Sequence, residues 1–241
     1  MKVFGHRGSP GVPRFGENTL SSFRKAFQAG ADGVELDVRR CGDRTLVALH
    51  DATLDRTTNG KGAIATLSYR DIQAFDAGGG EAVPRLSDVL DEFGSRGVLH
   101  IELKESNLAK DVADMVVERN LLPHVVLSAF DSDDNDEDAG SSWADLSSVS
   151  ATIPIALLFT KRKLKRCGPA RLIESALKAG AEAIHPSRDS ISVELISDAR
   201  KAGLTIRVWT VNDPSEALNL RNAGVDAIFS DCPAQCILAL H

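Results

Sequence analysis

Ala29-Gly30-Ala31-Asp32-Gly33-Val34-Glu35-Leu36-Asp37-Val38 carries the fold in ten residues. Its first half closes a helix: Ala-Gly is where a left-handed cap ends one, because glycine takes that conformation without a Cβ penalty. Its second half opens a strand. Successive strand side chains point to opposite faces, so Val34, Leu36 and Val38 share one face while Glu35 and Asp37 share the other. The same punctuation returns at Ala179-Gly180-Ala181-Glu182 and Ala223-Gly224-Val225-Asp226, with a further Ala-Gly at Ala202-Gly203. One helix-cap-strand unit is reused along the chain.

Working outward, the apolar segments set eight strands: 2–8, 33–40, 98–104, 125–130, 153–159, 183–186, 205–211 and 227–230. Helical patterns fill most gaps, at 18–29, 108–119, 171–179, 193–202 and 214–223. Strands alternating with amphipathic helices imply a parallel sheet with crossover helices. Eight such strands imply a (β/α)8 barrel rather than an open sheet. A chain of 241 residues suits that architecture as a single domain, 1–241. One interruption stands out. Thr45-Leu46-Val47-Ala48-Leu49-His50 reads as a hairpin partner of strand 33–40, and about residues 51–84 are loop-rich, with Thr57-Thr58-Asn59-Gly60-Lys61-Gly62 and Gly78-Gly79-Gly80. A loop that long in a compact domain is usually functional, and it reads as an inserted subdomain over the barrel mouth.

Composition narrows the function classes. A net charge of −6 and only 5% aromatic residues argue against nucleic acid held by bulk electrostatics or stacking. No apolar run approaches the ~20 residues of a membrane helix, and the amino terminus enters a strand with no signal core. Cys41, Cys167, Cys232 and Cys236 lack metal-ligand spacing and read as reduced thiols of a cytoplasmic protein. The sequence leaves the oligomeric state open.

Barrel active sites form at the C-terminal ends of the strands, and the polar residues gather there. His6 and Arg7 end the first strand, Glu35 and Asp37 sit late in the second, and Glu102 and Lys104 end strand 98–104. His50 ends the hairpin strand, and Trp209 lies near the end of strand 205–211. Charges alternating with apolar residues in buried strands are costly unless neutralised. Three carboxylates without thiolates favour a hard divalent cation, Mg2+ or Ca2+ with Mn2+ as a further option. A cation with Arg7 and Lys104 makes a positive pocket suited to a phosphoryl group, and two histidines can serve as base and acid across it. His185 and Phe130 read as pocket lining. The sum is metal-assisted phosphoester hydrolysis. A metal-dependent lyase or aldolase barrel would use carboxylates and a lysine too, but would not call for the paired histidines.

The ordered series His6-Arg7-Gly8, Glu17-Asn18-Thr19, Gly30 to Val38, His50-Asp51, Leu54-Asp55-Arg56-Thr57-Thr58-Asn59-Gly60, Pro84-Arg85-Leu86, Glu102-Leu103-Lys104 and Val208-Trp209-Thr210-Val211-Asn212 resembles the glycerophosphodiester phosphodiesterases over nearly the whole chain. The resemblance implies hydrolysis of a small glycerophosphodiester to sn-glycerol 3-phosphate and an alcohol. It implies His6 and His50 as the acid–base pair, and Glu35, Asp37 and Glu102 as ligands of one divalent metal. Arg7 and Lys104 would hold phosphate oxygens, and Trp209 would wall the glycerol pocket. Water and the glycerol 2-hydroxyl both stay open as the attacking oxygen. A lysophospholipase D-like enzyme and a non-catalytic phosphate-binding barrel are the alternatives. The first would call for an apolar rim or membrane helix that the sequence lacks, and the intact histidines, carboxylates and Lys104 weigh against the second.

Two hairpin positions depart from the family pattern, Cys41 in place of threonine and Arg44 in place of a turn glycine. The acidic run 131–138 superficially resembles a calcium loop but has Asp136 where an EF-hand needs glycine, and reads as a solvated acidic loop. Lys161-Arg162-Lys163-Leu164-Lys165-Arg166 reads as a basic turn on the mouth side.

Overall fold

The computed structural model describes residues 1–11, 16–130 and 143–241; the acidic run at 131–138 lies outside them. Among the described residues nine strands form one sheet: β1 (Lys2–Gly5), β2 (Gly33–Arg40), β3 (Leu46–Ala48), β4 (Val98–Leu103), β5 (Val125–Phe130), β6 (Ile155–Phe159), β7 (Ala183–Pro186), β8 (Thr205–Val208) and β9 (Ala227–Ser230). The order is β1-β9-β8-β7-β6-β5-β4-β2-β3, and β1 also pairs with β2. That last pairing closes eight parallel strands into a (β/α)8 barrel, and β3 hangs antiparallel on the outer part of β2, with Val38 opposite Ala48.

Helices α1 (Leu20–Gln28), α2 (Tyr69–Ile72), α3 (Leu86–Phe93), α4 (Ala109–Glu118), α5 (Trp143–Ser147), α6 (Lys161–Cys167), α7 (Pro169–Ala179), α8 (Val193–Lys201), α9 (Pro214–Ala223) and α10 (Pro233–Leu240) accompany the strands. The basic run expected as a turn is α6: the Thr160 hydroxyl accepts from the Lys163 amide and starts a helix, satisfying a donor that a helix start would otherwise leave unpaired. The reused Ala-Gly unit has a physical basis. Gly180 and Gly224 cap α7 and α9 in the left-handed region, at φ 77° and 96°. The aspartate that follows pins the incoming strand to its neighbour, Asp32 accepting from the Val3 amide at 2.8 Å and Asp226 from the Ile206 amide at 2.9 Å.

The core lies between barrel and helices. Val34, Leu36, Val38, Leu99, Ile101 and Leu103 point outward into it and are all essentially buried, each stabilising the fold by about 1.5–3 kcal/mol. The opposite face fills the barrel interior. Phe4, His100, His185 and Phe229 pack there edge to face, with ring centroids 4.4 Å apart for Phe4–His100 and 5.0 Å for His185–Phe229. This layer plugs the barrel below the mouth, and Arg207, paired to Glu182 at 2.9 Å, lies beneath it.

Between β3 and α3 the chain packs around a second small cluster, with Cys41, Val47, Leu49, Leu54, Ile64, Ile72, Ala77 and Val83 buried. Burial and the nearby Asp43 and Glu105 push the Cys41 thiol up to about 12, so it is a packing group. Arg44, in the hairpin turn before β3, sits at φ 72°, the backbone region that favours glycine. All four cysteines are free. Among the described residues no helix is long and apolar enough to cross a membrane.

Candidate active site

Strand register assembles the carboxylates. β2 and β4 run parallel with Asp37 beside Glu102 and Glu35 beside His100, and period-two alternation turns all four into the barrel. Glu35, Asp37 and Glu102 are buried, and each offers an oxygen within 4.8 Å of the others'. Arg7 and Lys104 answer them. The Arg7 Nε lies 3.2 Å from Asp37 and its amide donates to Glu35 at 3.0 Å. The Lys104 ammonium, only 1% exposed, donates to Glu102 at 2.7 Å and lies 3.8 Å from Asp37. Arg7 holds φ 52°, a strained value for a branch-free cation that Glu35, Ser22 and Asn18 lock through its amide and carbonyl.

Burial and the charges of Asp37 and Glu102 push the Glu35 carboxyl well above the usual range, against Arg7. Burial also works against an ionised Asp37, but Arg7, Lys104 and His50 outweigh it and hold that carboxyl well below the usual range. Two carboxylate oxygens here, Glu35 Oε1 and Asp37 Oδ1, are buried without a hydrogen-bond partner among the described residues, which is expensive. An all-oxygen donor set with unspent lone pairs fits a hard divalent cation. Such an ion would also offset the three crowded negative charges.

The histidines stand on either side. His6 bonds Asp231 through Nδ1 at 2.7 Å, with its Nε2 3.9 Å from Glu35. His50 bonds Asp51 through Nδ1 at 2.8 Å, and its Nε2 is 3.1 Å from the Lys104 ammonium. A carboxylate on Nδ1 selects the tautomer protonated there and leaves Nε2 for the pocket. Asp231 and Asp51 both stay ionised: burial disfavours the charge on Asp231 but its bond to His6 prevails, and bonds from Arg56 hold Asp51 down. A cavity of about 170 Å³ opens between the histidines, walled by Phe130, His185, Trp209 and Phe229. The Trp209 indole is fixed by donation to the His185 carbonyl at 2.7 Å and by an edge contact with Phe130 at 5.5 Å.

All eight residues singled out in the sequence therefore meet in one place. Their supports were not assigned a role there. Asn18, at φ 57°, donates to Asp37 at 2.9 Å and accepts from its amide. Asn212 donates to Asp231 at 2.7 Å. Glu17 accepts from Arg7 at 2.9 Å. Glu17, Asn18, Asp51 and Asn212 all sit within the quoted motifs, which was the available signal; Asp231 carried none.

Hard oxygen donors between two carboxylate-held histidines, with cations beside them, equip a barrel for phosphoester chemistry. Comparison narrows that class. The chain matches the model of the glycerophosphoryl diester phosphodiesterase family over residues 6–235. It is 32% identical to a glycerophosphodiester phosphodiesterase of Caldanaerobacter subterraneus subsp. tengcongensis, covering 98% of this chain and 96% of the relative. It superposes on a glycerophosphodiester phosphodiesterase of Agrobacterium tumefaciens with a TM-score of 0.82 at 30% identity, all of both chains being covered. A phosphodiesterase of Oleispira antarctica, solved with the product sn-glycerol-3-phosphate, gives a TM-score of 0.81 at 29% identity over 100% of this chain and 96% of the other. The chain belongs to the glycerophosphoryl diester phosphodiesterase family. It is an enzyme of that activity, a phosphoric diester hydrolase.

Proposed function

We propose that the enzyme releases sn-glycerol 3-phosphate and an alcohol from small glycerophosphodiesters, with His6 and His50 as the acid–base pair and Glu35, Asp37 and Glu102 holding one divalent metal ion. The observation that carries this reading is the pair of histidines, each anchored through Nδ1 to its own carboxylate, at the mouth of the cavity beside the carboxylate cluster. One imidazole takes the proton of the attacking oxygen, and the other gives a proton to the leaving alkoxide. Water serves as attacking oxygen, or the glycerol 2-hydroxyl does so with the proximity advantage of an intramolecular reaction. When bound, the metal ion, Mg2+ or Ca2+, supplies positive charge to the phosphoryl oxygens. Arg7 and Lys104, each paired to a carboxylate, would hold phosphate oxygens, while Glu35, Asp37 and Glu102 would hold the ion. Trp209 and Phe130 give the glycerol carbons an apolar wall. The buried and half-buried free thiols support a cytoplasmic setting, where thiols stay reduced.

The test is release of glycerol 3-phosphate from glycerophosphocholine by metal-stripped protein, then with Mg2+ or Ca2+ restored. Metal-dependent release is expected, and its absence from every glycerophosphodiester tried would refute the reading. His6→Ala and His50→Ala should each cost about 10²–10⁴-fold in kcat; near-normal turnover in either removes that residue from the acid–base pair.

A further inference from the structure

The stretch Leu54-Asp55-Arg56-Thr57-Thr58 belongs to the family motifs, yet the proposed chemistry assigns it no role. Its backbone is fixed by the inserted segment. Leu54 is fully buried in the small cluster. The Gly62 amide donates to Asp55 at 2.9 Å, and the Thr58 hydroxyl donates to the Leu54 carbonyl at 2.8 Å. From that base the Arg56 side chain reaches back to the barrel rim. There it grips two carboxylates at once. Nε and Nη2 donate to the two oxygens of Asp51, both at 2.8 Å. Nη1 and Nη2 donate to the two oxygens of Glu17, at 2.9 and 2.7 Å. Each contact is a planar fork, a geometry that guanidinium forms and an ammonium does not.

Both carboxylates lead into the site. Asp51 bonds the His50 Nδ1 at 2.8 Å, and Glu17 bonds the Arg7 Nη1 at 2.9 Å. The unbroken chain is His50–Asp51–Arg56–Glu17–Arg7, with Arg56 as its middle member. We propose that Arg56 is a positioning residue of the phosphodiesterase reaction, locking the His50 ring and the Arg7 guanidinium in register with each other through Asp51 and Glu17. This rests on the roles given to His50 and Arg7 under the proposed function.

The physical argument is twofold. Asp51 and Glu17 are two carboxylates converging on one point, and without the guanidinium between them they repel, which shifts the side chains they hold, His50 and Arg7, out of register with each other. The forks also set how strongly Asp51 pulls on His50. Two of its lone pairs are spent on Arg56, so it anchors the Nδ1 proton without stabilising imidazolium as fully as an unshared carboxylate would. The His50 ring then keeps an Nε2 able both to accept a proton and to give it up. The inserted segment gains a task from this: it delivers a side chain that ties His50 to Arg7.

The experiment uses the full chain with its metal restored, comparing wild type with Arg56→Ala, Arg56→Lys, Asp51→Asn/Glu17→Gln and the latter pair combined with Arg56→Ala. Thermal melts confirm that each variant is folded. With glycerophosphocholine, Arg56→Ala is expected to lower kcat/KM by about 10–100-fold, the range seen when groups that orient reacting or ligating side chains are removed. Arg56→Lys should stay well below wild type, since a point charge cannot fork. The triple variant should fall no further than Asp51→Asn/Glu17→Gln, because those two carboxylates are the route by which Arg56 acts. NMR titration of the His50 ring in free protein should move to higher pH in Arg56→Ala, which a purely scaffolding role would not produce. Wild-type kcat/KM in Arg56→Ala, or a loss of activity with the His50 titration unmoved, would overturn the proposal. Wild-type protein that turns over no glycerophosphodiester would instead sink the functional reading, and the His50 titration would still decide whether Arg56 holds the ring.

Discussion

Lowering the pH from 7 to 5.5 should destabilise this barrel through two histidines that take no part in the proposed chemistry. His100 and His185 lie in the plug of the barrel, 0% and 1% exposed, with ring centroids 5.5 Å apart. Among the described residues neither His100 ring nitrogen has a hydrogen-bond partner. Burial pushes both imidazoles well below the usual histidine range, and Arg207 adds to it in each case, with Lys2 and the neighbouring ring also acting on His100. The sign follows from proton linkage. Unfolded histidine takes up a proton near pH 6.5, while these folded rings stay neutral, so stability is full above that value and lost as pH falls below it toward the folded pKa. Between pH 7 and 5.5 each ring forfeits about 1.3 kcal/mol, and the two together about 2.5 kcal/mol. That window lies above the range in which ordinary carboxylates titrate. Glu35, whose carboxyl is raised, is common to wild type and variant and cancels in their difference. His100→Phe places a third phenyl beside Phe4 and Phe229 and removes one of the two linkages. Urea unfolding of wild type and His100→Phe at both pH values gives the answer: the variant should lose about 1.3 kcal/mol less on acidification. An identical loss in the two proteins would refute the assignment of a neutral, buried His100.

Two further outcomes follow from other parts of the fold. Arg44→Gly should stabilise the protein by up to about 1 kcal/mol, since relief of the left-handed backbone at φ 72° outweighs the entropy glycine adds to the unfolded chain; denaturant midpoints check it, and a destabilised variant would contradict the strain. Mg2+ or Ca2+ at 100 times its Kd should raise stability by about 2.7 kcal/mol, or about 5–11 °C for a chain of this size, and Asp37→Asn should abolish the shift. An unchanged melt in wild type would speak against the carboxylates as a metal site.

The sequence by itself settled what local physics settles. Alternation with period two put Glu35 with Asp37 and Glu102 with Lys104 on shared faces, because strand geometry forces it. Ala-Gly at 29–30, 179–180, 202–203 and 223–224 placed helix ends, because left-handed caps need glycine; all four glycines hold φ between 76° and 96°. Eight strands alternating with helices pointed to the barrel. Other features turned on a local cap that was not read or on sequence-distant partners. The basic run 161–166 looked like a turn until Thr160 capped it as a helix. The partner of His6 is Asp231, 225 residues away, and it becomes a neighbour only because β9 closes against β1. Lys104 reads from sequence as a phosphate contact, yet in the folded chain it first neutralises Glu102 and Asp37. Strand register decided that Asp37 stands beside Glu102, and so that three separate carboxylates become one cluster. The residue types and their faces are thus written locally, whereas distances, charge balance and the ring nitrogen His6 presents come from barrel closure, which brings together groups no sequence window spans.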